Sequence, residues 1–583
     1  MDTQIQDLDA PPASRPLNQK MVKNITGAEA LILSLLEEGV DTIFGYPGGA
    51  IMPVYDSLYH YSEKLNHVLT RHEQGATHAA QGYARLAKKA GVCFATSGPG
   101  ATNLITGIAD AQIDSTPLVC ITGQVASHLL GSDAFQETDI IGISAPVTKW
   151  NFQITKAEEI PATIAKAFYI AQNGRPGPVL IDITKDAQFE ALDFVYQKCE
   201  NIRSYRPTPT LNHQTVLQAA QLINQSQKPM ILMGQGVSLA KAETELKAFA
   251  EKTSTPVAST LLGLSSFSTQ HPLYVGFLGM HGNYGPNVKT NEADLLIAVG
   301  MRFDDRVTGD LKRYAEKAKV IHIDIDPAEI DKNVKTDVAI IADAKEALQA
   351  LFPLVRAQNR QAWLQEFTDC DRVEQDQVIS KALAPNTEKV KMAEVIEKLS
   401  QLTEGKAVIV TDVGQHQMIA SRYYKFDTPN SNITSGGLGT MGFALPAALG
   451  AKLARPDREI VAIIGDGGFQ MTAQELGTLM QYKIPVKIII LNNSFLGMVR
   501  QWQELFFDRR YSFTEMTNPD FIALAKSFKI AGKRVQSRSE ITQGLEEMLA
   551  HPDSFLLEVE VEKEDNVFPM VPTGESVSNI RLS

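Results

Sequence analysis

Short apolar runs alternate with longer amphipathic stretches along most of this 583-residue chain. The runs have the length of buried strands, and the stretches between them have the length and spacing of helices. Because strands separated by helices run parallel, the alternation predicts an α/β fold with doubly wound parallel sheets. The strand candidates are 42–45, 92–96, 118–122, 179–183, 229–233, 295–299, 320–325, 407–410, 460–464 and 488–491.

Breaks in this alternation divide the chain into three units. A chain of 583 residues exceeds what one hydrophobic core supports, and each unit carries its own set of predicted strands. A proline-containing polar segment and a charged segment without strand signals separate the units. We predict a flexible tail at 1–21, a first domain at 22–190, a linker at 191–212, a central domain at 213–355, a linker at 356–391, a third domain at 392–565, and a segment at 566–583 that is either a lid or a disordered end.

Composition and charge argue against several kinds of partner. The formal net charge of −12 disfavours binding to nucleic acid or to an anionic membrane. No apolar run has the length of a membrane span, and the acidic first twenty residues lack the apolar core of a signal peptide. Cys93 and Cys120 lie in strand-like runs, which predicts buried thiols, a reducing compartment and hence a cytoplasmic protein.

Two neighbouring predicted strands end in oxygen-bearing side chains. Asp466, flanked by glycines, follows the run 460–464, and Asn493 follows the run 488–491. The helix-length piece Phe469–Tyr482 separates the runs, so both side chains are expected at one edge of a parallel sheet. A carboxylate and an amide oxygen suit Mg²⁺ that keeps positions open for phosphate, and the helix N-terminus suits an anion. Gly-Asp-Gly alone more often marks an ordinary helix cap. The spacing to Asn493 favours the metal, and the pattern resembles the diphosphate–Mg²⁺ motif of thiamine-diphosphate enzymes.

A glutamate at a predicted helix start is the second candidate for chemistry. The segment Arg71–Ala76 follows a strand-like run and precedes small residues that permit tight helix packing. Such a glutamate, here Glu73, is usually a cap or a partner of the helix dipole. In thiamine-diphosphate enzymes, however, a buried carboxyl hydrogen-bonds the pyrimidine ring and promotes removal of a proton from a carbon acid of the cofactor. By this resemblance, Glu73 is the candidate for that group.

Motifs in one order extend the resemblance over most of the chain. From about Ile25 to Pro572 the sequence resembles the catalytic subunits of the acetohydroxyacid synthase (acetolactate synthase) family. The likeness is carried by Tyr46–Ala50, Arg71–Ala76, Thr96–Asn103, Thr122–Val125, Asp133–Glu137, Arg302–Gly309, Gly436–Gly442 and Gly497–Trp502.

This resemblance implies where thiamine diphosphate and its metal bind. It implies a pyrimidine-binding first domain, an FAD-binding central domain and a diphosphate-binding third domain, with each active site between the first domain of one subunit and the third domain of another. The pyrimidine and reaction side is implied at Gly49, Glu73, Pro99, Asn103 and Gln124. The other side of the cofactor is implied at Val413, Gly414, Gln415, His416, Gly439 and Met441, with a diphosphate cradle at Gly467, Gly468, Leu496, Gly497 and Met498. Mg²⁺ is implied at Asp466, Asn493 and the backbone carbonyl of Phe495.

Some of these positions have a second interpretation. Met441 in a glycine-rich loop is either a gap filler or, as in the family, the residue that props the two thiamine rings into a bent shape. Gly468 stands where many relatives carry serine, so any phosphate contact there must come from its backbone N–H. His72 and His416 belong to no metal-spaced cluster. We expect packing or hydrogen bonding of His72, and donation to phosphate of His416.

The implied reaction joins two 2-oxo acids. Pyruvate loses CO₂ on the cofactor, and the two-carbon unit is joined to pyruvate or 2-oxobutyrate, giving 2-acetolactate or 2-aceto-2-hydroxybutyrate for branched-chain amino-acid synthesis. Arg306 is the candidate for the acceptor carboxylate, because a planar fork suits that group; an ion pair with Asp304 or Asp305 is the alternative. Trp502 stands where the family selects the larger acceptor, although alone it would be interpreted as a packing residue. The implied catalytic set is Glu73, Gly49, Gln124, Arg306 and Trp502.

The resemblance also implies FAD, as a largely structural cofactor. The segment Arg302–Gly309 is absent from the FAD-free catabolic branch of the family. FAD contacts are implied at Arg175, Met280, His281, Gly282, Arg302, Asp324 and Asp343.

Other functions are alternatives at this point. A flavin oxidoreductase resembling pyruvate oxidase shares the fold and both organic cofactors, but Arg302–Gly309 and Gly497–Trp502 speak against it. A simple 2-oxo acid decarboxylase would release an aldehyde. A non-catalytic nucleotide-binding or regulatory protein is opposed by intact Glu73, Asp466 and Asn493. A homodimer or homotetramer is implied, and a small regulatory subunit is left open.

Overall fold

The computed structural model describes residues 21–583 and confirms the predicted fold class. Three six-stranded sheets, in which every pairing is parallel, follow one another along the chain. The predicted N-terminal tail, apart from Met21, lies outside the described residues. Within residues 21–583, no helix is both long enough and apolar enough to cross a bilayer.

The first sheet is covered by helices on both faces. Its domain contains β1 Val22–Thr26, α1 Gly27–Glu37, β2 Thr42–Gly45, α2 Met52–Tyr59, β3 Asn66–Leu69, α3 Glu73–Ala87, β4 Gly91–Ala95, α4 Pro99–Asn103, α5 Ile105–Ile113, β5 Leu118–Gln124, α6 Ile140–Ser144, β6 Trp150–Ile154, α7 Ile160–Gln172, β7 Pro178–Thr184, α8 Lys185–Phe189 and β8 Ala191–Phe194. The strand order is β3-β2-β4-β5-β7-β6, and β1 pairs with β8 in a separate antiparallel ribbon. Successive residues of β4 point to opposite faces of the sheet. Val92 and Phe94 belong to one hydrophobic core, whereas Cys93 and Ala95 belong to another, as expected of a strand buried on both faces.

The central sheet has the order β11-β10-β9-β12-β13-β14. Its domain contains α9 His213–Gln225, β9 Pro229–Met233, α10 Gln235–Leu239, α11 Glu243–Thr253, β10 Val257–Ser259, β11 Tyr274–Phe277, α12 Tyr284–Thr290, β12 Leu295–Val299, α13 Asp305–Thr308, β13 Lys319–Asp324, β14 Val338–Ile341 and α14 Ala344–Leu351. The segment that follows is helical, with α15 Gln361–Glu374, a π-helical turn Gln375–Ile379 and α16 Ser380–Leu383.

The third sheet has the order β16-β15-β17-β18-β20-β19. Its domain contains α17 Met392–Leu402, β15 Val408–Thr411, α18 Gln415–Tyr423, β16 Asn432–Thr434, α19 Ala444–Ala454, β17 Ile460–Gly465, α20 Asp466–Thr472, α21 Leu476–Tyr482, β18 Lys487–Asn492, α22 Gly497–Phe506, α23 Phe521–Ser527, β19 Ala531–Val535, α24 Ile541–Ala550 and β20 Phe555–Glu560. The piece expected as one helix from Phe469 begins instead at Asp466 and is interrupted by a 3-10 turn at Ala473–Glu475. Glu475 turns inward there, because its carboxylate accepts hydrogen bonds from Arg71 N and Thr478 Oγ1.

The first and third sheets have the same strand order. In the third sheet, the chain adds β16 on one side of β15 and then adds β17 on the other side, so the direction in which strands are added reverses there. In the third sheet, this switch point lies between β15 and β17. Ligands of open α/β sheets bind at the carboxyl ends of strands beside such a point. Residues 412–416 follow β15 and Asp466 follows β17, so both segments border the switch point.

Helices α3 and α19 join the first domain to the third. The carbonyl oxygen of Ala79 lies 1.8 Å from the place that a Cβ of Gly450 would take. In the same way, the carbonyl oxygen of Ala447 lies 1.9 Å from the place that a Cβ of Gly82 would take. Only glycine permits this approach. Because the two contacts run in opposite chain directions, the helices are antiparallel, and one apolar cluster continues through both domains.

The segment 566–583 packs on the rest of the molecule. Val567, Met570 and Val571 are buried, and the Val571 N–H donates to the Met280 carbonyl at 2.7 Å. The C-terminal residues therefore connect the third domain to the central domain.

Candidate active site

Strands β17 and β18 bring the predicted metal ligands to one edge of the third sheet. Gly465 pairs with Leu491 in parallel register, so Asp466 and Asn493 follow just beyond the paired residues. Asp466, Asn493 and Phe495 are all buried. The expected set of oxygen donors is thus assembled by the strand register and the short loop after β18.

The buried Asp466 carboxylate forms no ion pair within residues 21–583. Its Oδ2 accepts a hydrogen bond from Asn518 Nδ2 at 2.6 Å, and burial raises the pKa of the carboxyl to about 6. A cation beside it would stabilise the ionised form, and one carboxylate with amide and carbonyl oxygens suits Mg²⁺. Asn518 also donates to Asn492 Oδ1 at 2.9 Å. Sequence analysis missed Asn518, because it lies in a loop 52 residues from Asp466 with no motif around it.

Asp412 fills the space beside Gly468. Its Oδ2 lies 2.1 Å from the place that a Cβ of Gly468 would take, and it accepts the Gly442 N–H at 2.8 Å. Its Oδ1 binds His416 Nε2 at 2.5 Å. The space beside Gly468 is therefore occupied by a carboxylate, and only Nδ1 of His416 is left for a ligand. Asp412 was also missed, although its place at the end of β15 is the signal that identified Asp466.

The loops around these residues pack closely. Gln415 Oε1 lies 2.2 Å from the place of a Gly497 Cβ and accepts Asn493 Nδ2 at 3.3 Å, while Gln415 Nε2 donates to Gln501. Leu496 Cδ2 and Met441 Cε lie 2.8 and 3.6 Å from the place of a Gly467 Cβ. The structure therefore brings together the residues implied in the diphosphate cradle.

The residues implied on the pyrimidine side lie at the carboxyl edge of the first sheet. Glu73 begins α3 and is 9% exposed. Asn103 Nδ2 donates to Glu73 Oε2 at 3.0 Å, and no hydrogen bond to Oε1 forms within the described part of the chain. Gly49 and Pro99 are exposed at this edge. None of these four residues borders the large cavity described below.

Two residues of this region, His72 and Gln124, form hydrogen bonds within the first domain. His72 caps α3, since its Nδ1 accepts the Gln74 N–H at 3.1 Å. Gln124 is 2% exposed, and its Nε2 donates to Asp182 Oδ2 at 3.1 Å and to the Thr138 carbonyl at 3.0 Å. Gln124 therefore holds the end of β5 and offers no free amide in the isolated chain.

The two sets of residues lie far apart in one chain. Glu73 is at the N-terminus of α3, whereas Met441 precedes the N-terminus of the antiparallel α19. Counting outward from the contact between Gly82 and Ala447 at 1.5 Å per residue gives a separation of about 20 Å along the helices. One chain therefore does not bring Glu73 to Met441.

A cavity of about 1420 Å³ lies where the first, central and third domains meet. Residues from both implied cofactor sites border it: Arg175, Met280, His281, Arg302, Asp324, Asp343, Val413, Gly414, Gly439 and Met498. Gly282 lies just outside its lining. The cavity is larger than a typical ligand pocket, so it accommodates a dinucleotide-sized ligand together with part of a second ligand.

Several polar side chains border the cavity on and near the central domain. Arg175 Nη1 pairs with Glu329 at 2.7 Å and Asp326 at 3.2 Å, and its Nε donates to Ser115 Oγ at 2.9 Å. Burial raises the pKa of the Asp324 carboxyl to about 6. Asp343 caps α14 by accepting the Lys345 N–H. These side chains can hydrogen-bond the sugar and phosphate parts of a nucleotide.

Arg306 and Trp502 border the same cavity. The Arg306 side chain is 59% exposed, and its only ion pair in residues 21–583 is with the exposed Asp305 at 3.7 Å. Such an exposed pair contributes little free energy, so the guanidinium is available to a carboxylate. Trp502 lies on α22 with its ring edge-on to Phe506.

A buried ion pair ties the central domain to helix α18. The side chains of Arg422 and Glu374 are each 1% exposed and form a direct ion pair. Arg422 Nη2 also donates to the carbonyls of His281 at 3.0 Å and Gly282 at 2.8 Å, and Glu374 accepts from Asn283 Nδ2 at 2.8 Å. The pair thus fixes the loop at 280–283 to the helix that begins at Gln415. No sequence pattern predicts it, since its partners come from different segments.

Replacing Arg422 by methionine is expected to lower the free energy of unfolding by about 3–5 kcal/mol, because Glu374 is left buried and unpaired. Thermal or denaturant unfolding measures this loss. The exposed Arg455, paired with Asp457, provides the matched control: Arg455→Met should cost no more than about 1 kcal/mol. Equal losses in both variants would contradict a structural role specific to the buried pair.

Comparison with known proteins agrees with this geometry. Three family models match consecutive parts of the chain: the N-terminal TPP binding domain (25–143), the central domain (216–351) and the C-terminal TPP binding domain (412–559) of thiamine pyrophosphate enzymes. The acetolactate synthase large subunit of Corynebacterium glutamicum is 47% identical over 575 residues, covering 96% of this chain and 91% of that protein. The isozyme 2 large subunit of Escherichia coli is 46% identical over 559 residues, covering 95% and 99%. A probable acetolactate synthase large subunit of Methanocaldococcus jannaschii is 45% identical, covering 95% of each chain. The resemblance predicted from the motifs is therefore confirmed, and the chain belongs to the acetolactate synthase large-subunit family of thiamine pyrophosphate enzymes.

Proposed function

We propose that this chain decarboxylates pyruvate and joins the two-carbon unit to a second pyruvate or to 2-oxobutyrate. The products are 2-acetolactate and 2-aceto-2-hydroxybutyrate. The main support is the cavity in which Arg306 and Trp502 border the same space as the diphosphate-side residues Val413 and Gly414. An available guanidinium suits the carboxylate of the acceptor, and an apolar indole suits its alkyl group.

Thiamine diphosphate, when bound, supplies the electron sink for decarboxylation. Gly414, Gln415, His416, Gly467 and Gly468 would hold its diphosphate. Asp466, Asn493 and the Phe495 carbonyl would hold Mg²⁺, and the unpaired buried carboxylate supports this assignment. Glu73 would hydrogen-bond the pyrimidine through Oε1, because Asn103 occupies Oε2.

FAD would occupy the central-domain side of the cavity. The candidate contacts border it together, apart from Gly282, whose carbonyl is held by Arg422. We assign the three ligand-binding units to the predicted domains 22–190, 213–355 and 392–565.

Each complete active site would form between two chains. Glu73 lies about 20 Å along the packed helices from Met441, so a second chain must supply the missing half. Exposed apolar side chains next to each half support a homodimer or an assembly of homodimers. Phe135, whose loop contacts Gly98, is 88% exposed, and Met471, beside Gly442, is 54% exposed.

A small subunit is a further proposed partner, because the relatives are named large subunits. All four cysteines are free thiols, which supports a reducing compartment such as the cytosol.

The decisive experiment is product analysis with both substrates present. Purified protein with Mg²⁺, thiamine diphosphate and FAD should convert pyruvate with 2-oxobutyrate into both acetohydroxy acids. Flavin released from the same sample should be present in about one copy per chain if the site is occupied as proposed. Aldehyde as the main product, or flavin reduction at the turnover rate without acetolactate, would identify a decarboxylase or an oxidoreductase instead.

Replacing Trp502 by leucine should shift the products toward 2-acetolactate by about tenfold when both acceptors compete, because the wall that favours the extra methylene is removed. Chromatography of the two products measures the ratio. Trp150→Leu, on the first sheet and away from the cavity, is the control and should leave the ratio unchanged. If Trp502→Leu gives the wild-type ratio, another residue selects the acceptor.

A further inference from the structure

The loop Ser435–Gly442, called here the glycine loop, connects β16 to α19 and carries Met441. It lies outside helix and strand, and Gly439 and Gly442 adopt positive φ angles of +72° and +83°. A loop of this composition loses much conformational entropy when ordered, so it needs specific contacts to hold one shape.

Two carboxylates of the first domain supply these contacts, Asp110 on α5 and Asp114 directly after it. Asp114 accepts the Gly436 N–H at 2.8 Å and the Gly437 N–H at 2.7 Å, one on each oxygen. Asp110 Oδ1 accepts Ser435 Oγ at 2.5 Å and Thr440 Oγ1 at 2.8 Å. The carboxylates therefore hold the start of the loop and the residue directly before Met441.

The glycine loop also supplies the hydrogen-bond donors of the Asp110 carboxylate. Both aspartates are buried, at 0% and 1% exposure. Arg85 pairs with Asp114 at 3.1 Å, but among residues 21–583 only glycine-loop hydroxyls donate to Asp110, and its Oδ2 has no partner. Because a buried carboxylate is costly unless hydrogen-bonded, Asp110 and the ordered loop stabilise each other.

We propose that Asp110 and Asp114 are positioning residues that set the glycine loop, and with it Met441, for the third-domain half of the active site. The inference rests on the proposed function. Asn103, which bonds Glu73, lies 7 residues before Asp110, separated by Leu104 and the first residues of α5. If each site forms between two chains, α4 and α5 connect the Glu73 half of one site to the glycine loop of the other.

The first test measures cofactor binding without turnover. Apoprotein is titrated with thiamine diphosphate and Mg²⁺, and quenching of tryptophan fluorescence is followed. Asp110→Ala should raise the dissociation constant about tenfold, Asp110→Asn and Thr440→Val should raise it less, and kcat should fall in the same order. Asp186→Asn is the control, because Asp186 accepts a backbone N–H of the same domain far from the loop. Wild-type affinity and kcat in folded Asp110→Asn and Thr440→Val would overturn the proposal.

The second test decides whether Asp110 acts on the half of the active site that contains the glycine loop or on the half that contains Glu73. Chains carrying Glu73→Gln and chains carrying Asp110→Ala are co-expressed with different tags, and mixed dimers are purified by both tags. If Asp110 acts on the glycine loop, both defects fall in one site and the other site is intact, so a mixed dimer should recover about half of the wild-type activity. If Asp110 acts through Asn103 on Glu73 of its own chain, both sites are damaged and no recovery occurs, which would overturn the assignment.

The two tests separate this inference from the proposed function. Wild-type protein that binds thiamine diphosphate but forms no acetohydroxy acid would refute the function while leaving the affinity test of the loop intact. Wild-type protein that forms both products, with Asp110 variants that bind and turn over normally, would refute the loop inference alone.

Discussion

Replacing Glu73 by glutamine is expected to lower kcat by about 10²–10⁴-fold while leaving thiamine diphosphate affinity nearly unchanged. Glutamine preserves the size of the side chain and can keep the bond from Asn103 through its oxygen. It removes the carboxyl that would move a proton at the pyrimidine ring. The loss should therefore fall on turnover, and on the rate of hydrogen–deuterium exchange at the reactive carbon of the bound cofactor.

Steady-state kinetics and exchange measured by NMR test this expectation together. Glu29→Gln makes the same substitution in the same domain at a residue that accepts from Tyr61, away from the half-site, and should behave as wild type. Turnover within threefold of wild type in Glu73→Gln, about 0.7 kcal/mol of activation free energy, would leave Glu73 only an interaction with the helix dipole.

Replacing Asp466 by asparagine should raise the dissociation constant for Mg²⁺-dependent binding of thiamine diphosphate by about 100-fold or more. Changing a residue that hydrogen-bonds a metal ligand typically lowers metal affinity about 10- to 100-fold, and a direct ligand also contributes its charge. Asparagine keeps the shape and an oxygen, so the loss isolates the effect of that charge. Fluorescence titration at several Mg²⁺ concentrations measures it.

Asn518 and Asp520 provide graded comparisons in one loop. Asn518 orients the Asp466 carboxylate, so Asn518→Ala should weaken binding by about tenfold. Asp520 caps α23 and pairs with Arg534 at 3.0 Å, and Asp520→Asn should leave binding unchanged. If Asp466→Asn retains wild-type affinity, the metal is held elsewhere in the protein.

Much of the fold follows from local pattern, because buried parallel strands are continuous apolar runs. The predicted runs 229–233 and 295–299 coincide with β9 and β12 to the residue. The strand–helix–strand unit around Asp466 obliges both strands to run parallel, and this places Asp466 and Asn493 at one edge. Glu73 was singled out through the family resemblance of its motif, which spans consecutive residues, and its role stays a prediction.

Contacts between distant segments had no such local signal. The sequence did not indicate that Asn518 would reach Asp466, that Asp412 would fill the space beside Gly468, or that Arg422 would pair with Glu374. It also left the segment 566–583 undecided, whereas five of its apolar residues are buried against other elements.

The amino-acid sequence by itself determined ten apolar strands, the order of the three domains along the chain and the chemistry available at the ends of those strands, because these depend on neighbouring residues and on the parallel connection. Only the tertiary structure decided that Glu73 and Met441 are separated within one chain and that α5 reaches the glycine loop. These features depend on how α3 packs against α19, and that packing is set by close contacts between residues more than 350 positions apart in the sequence.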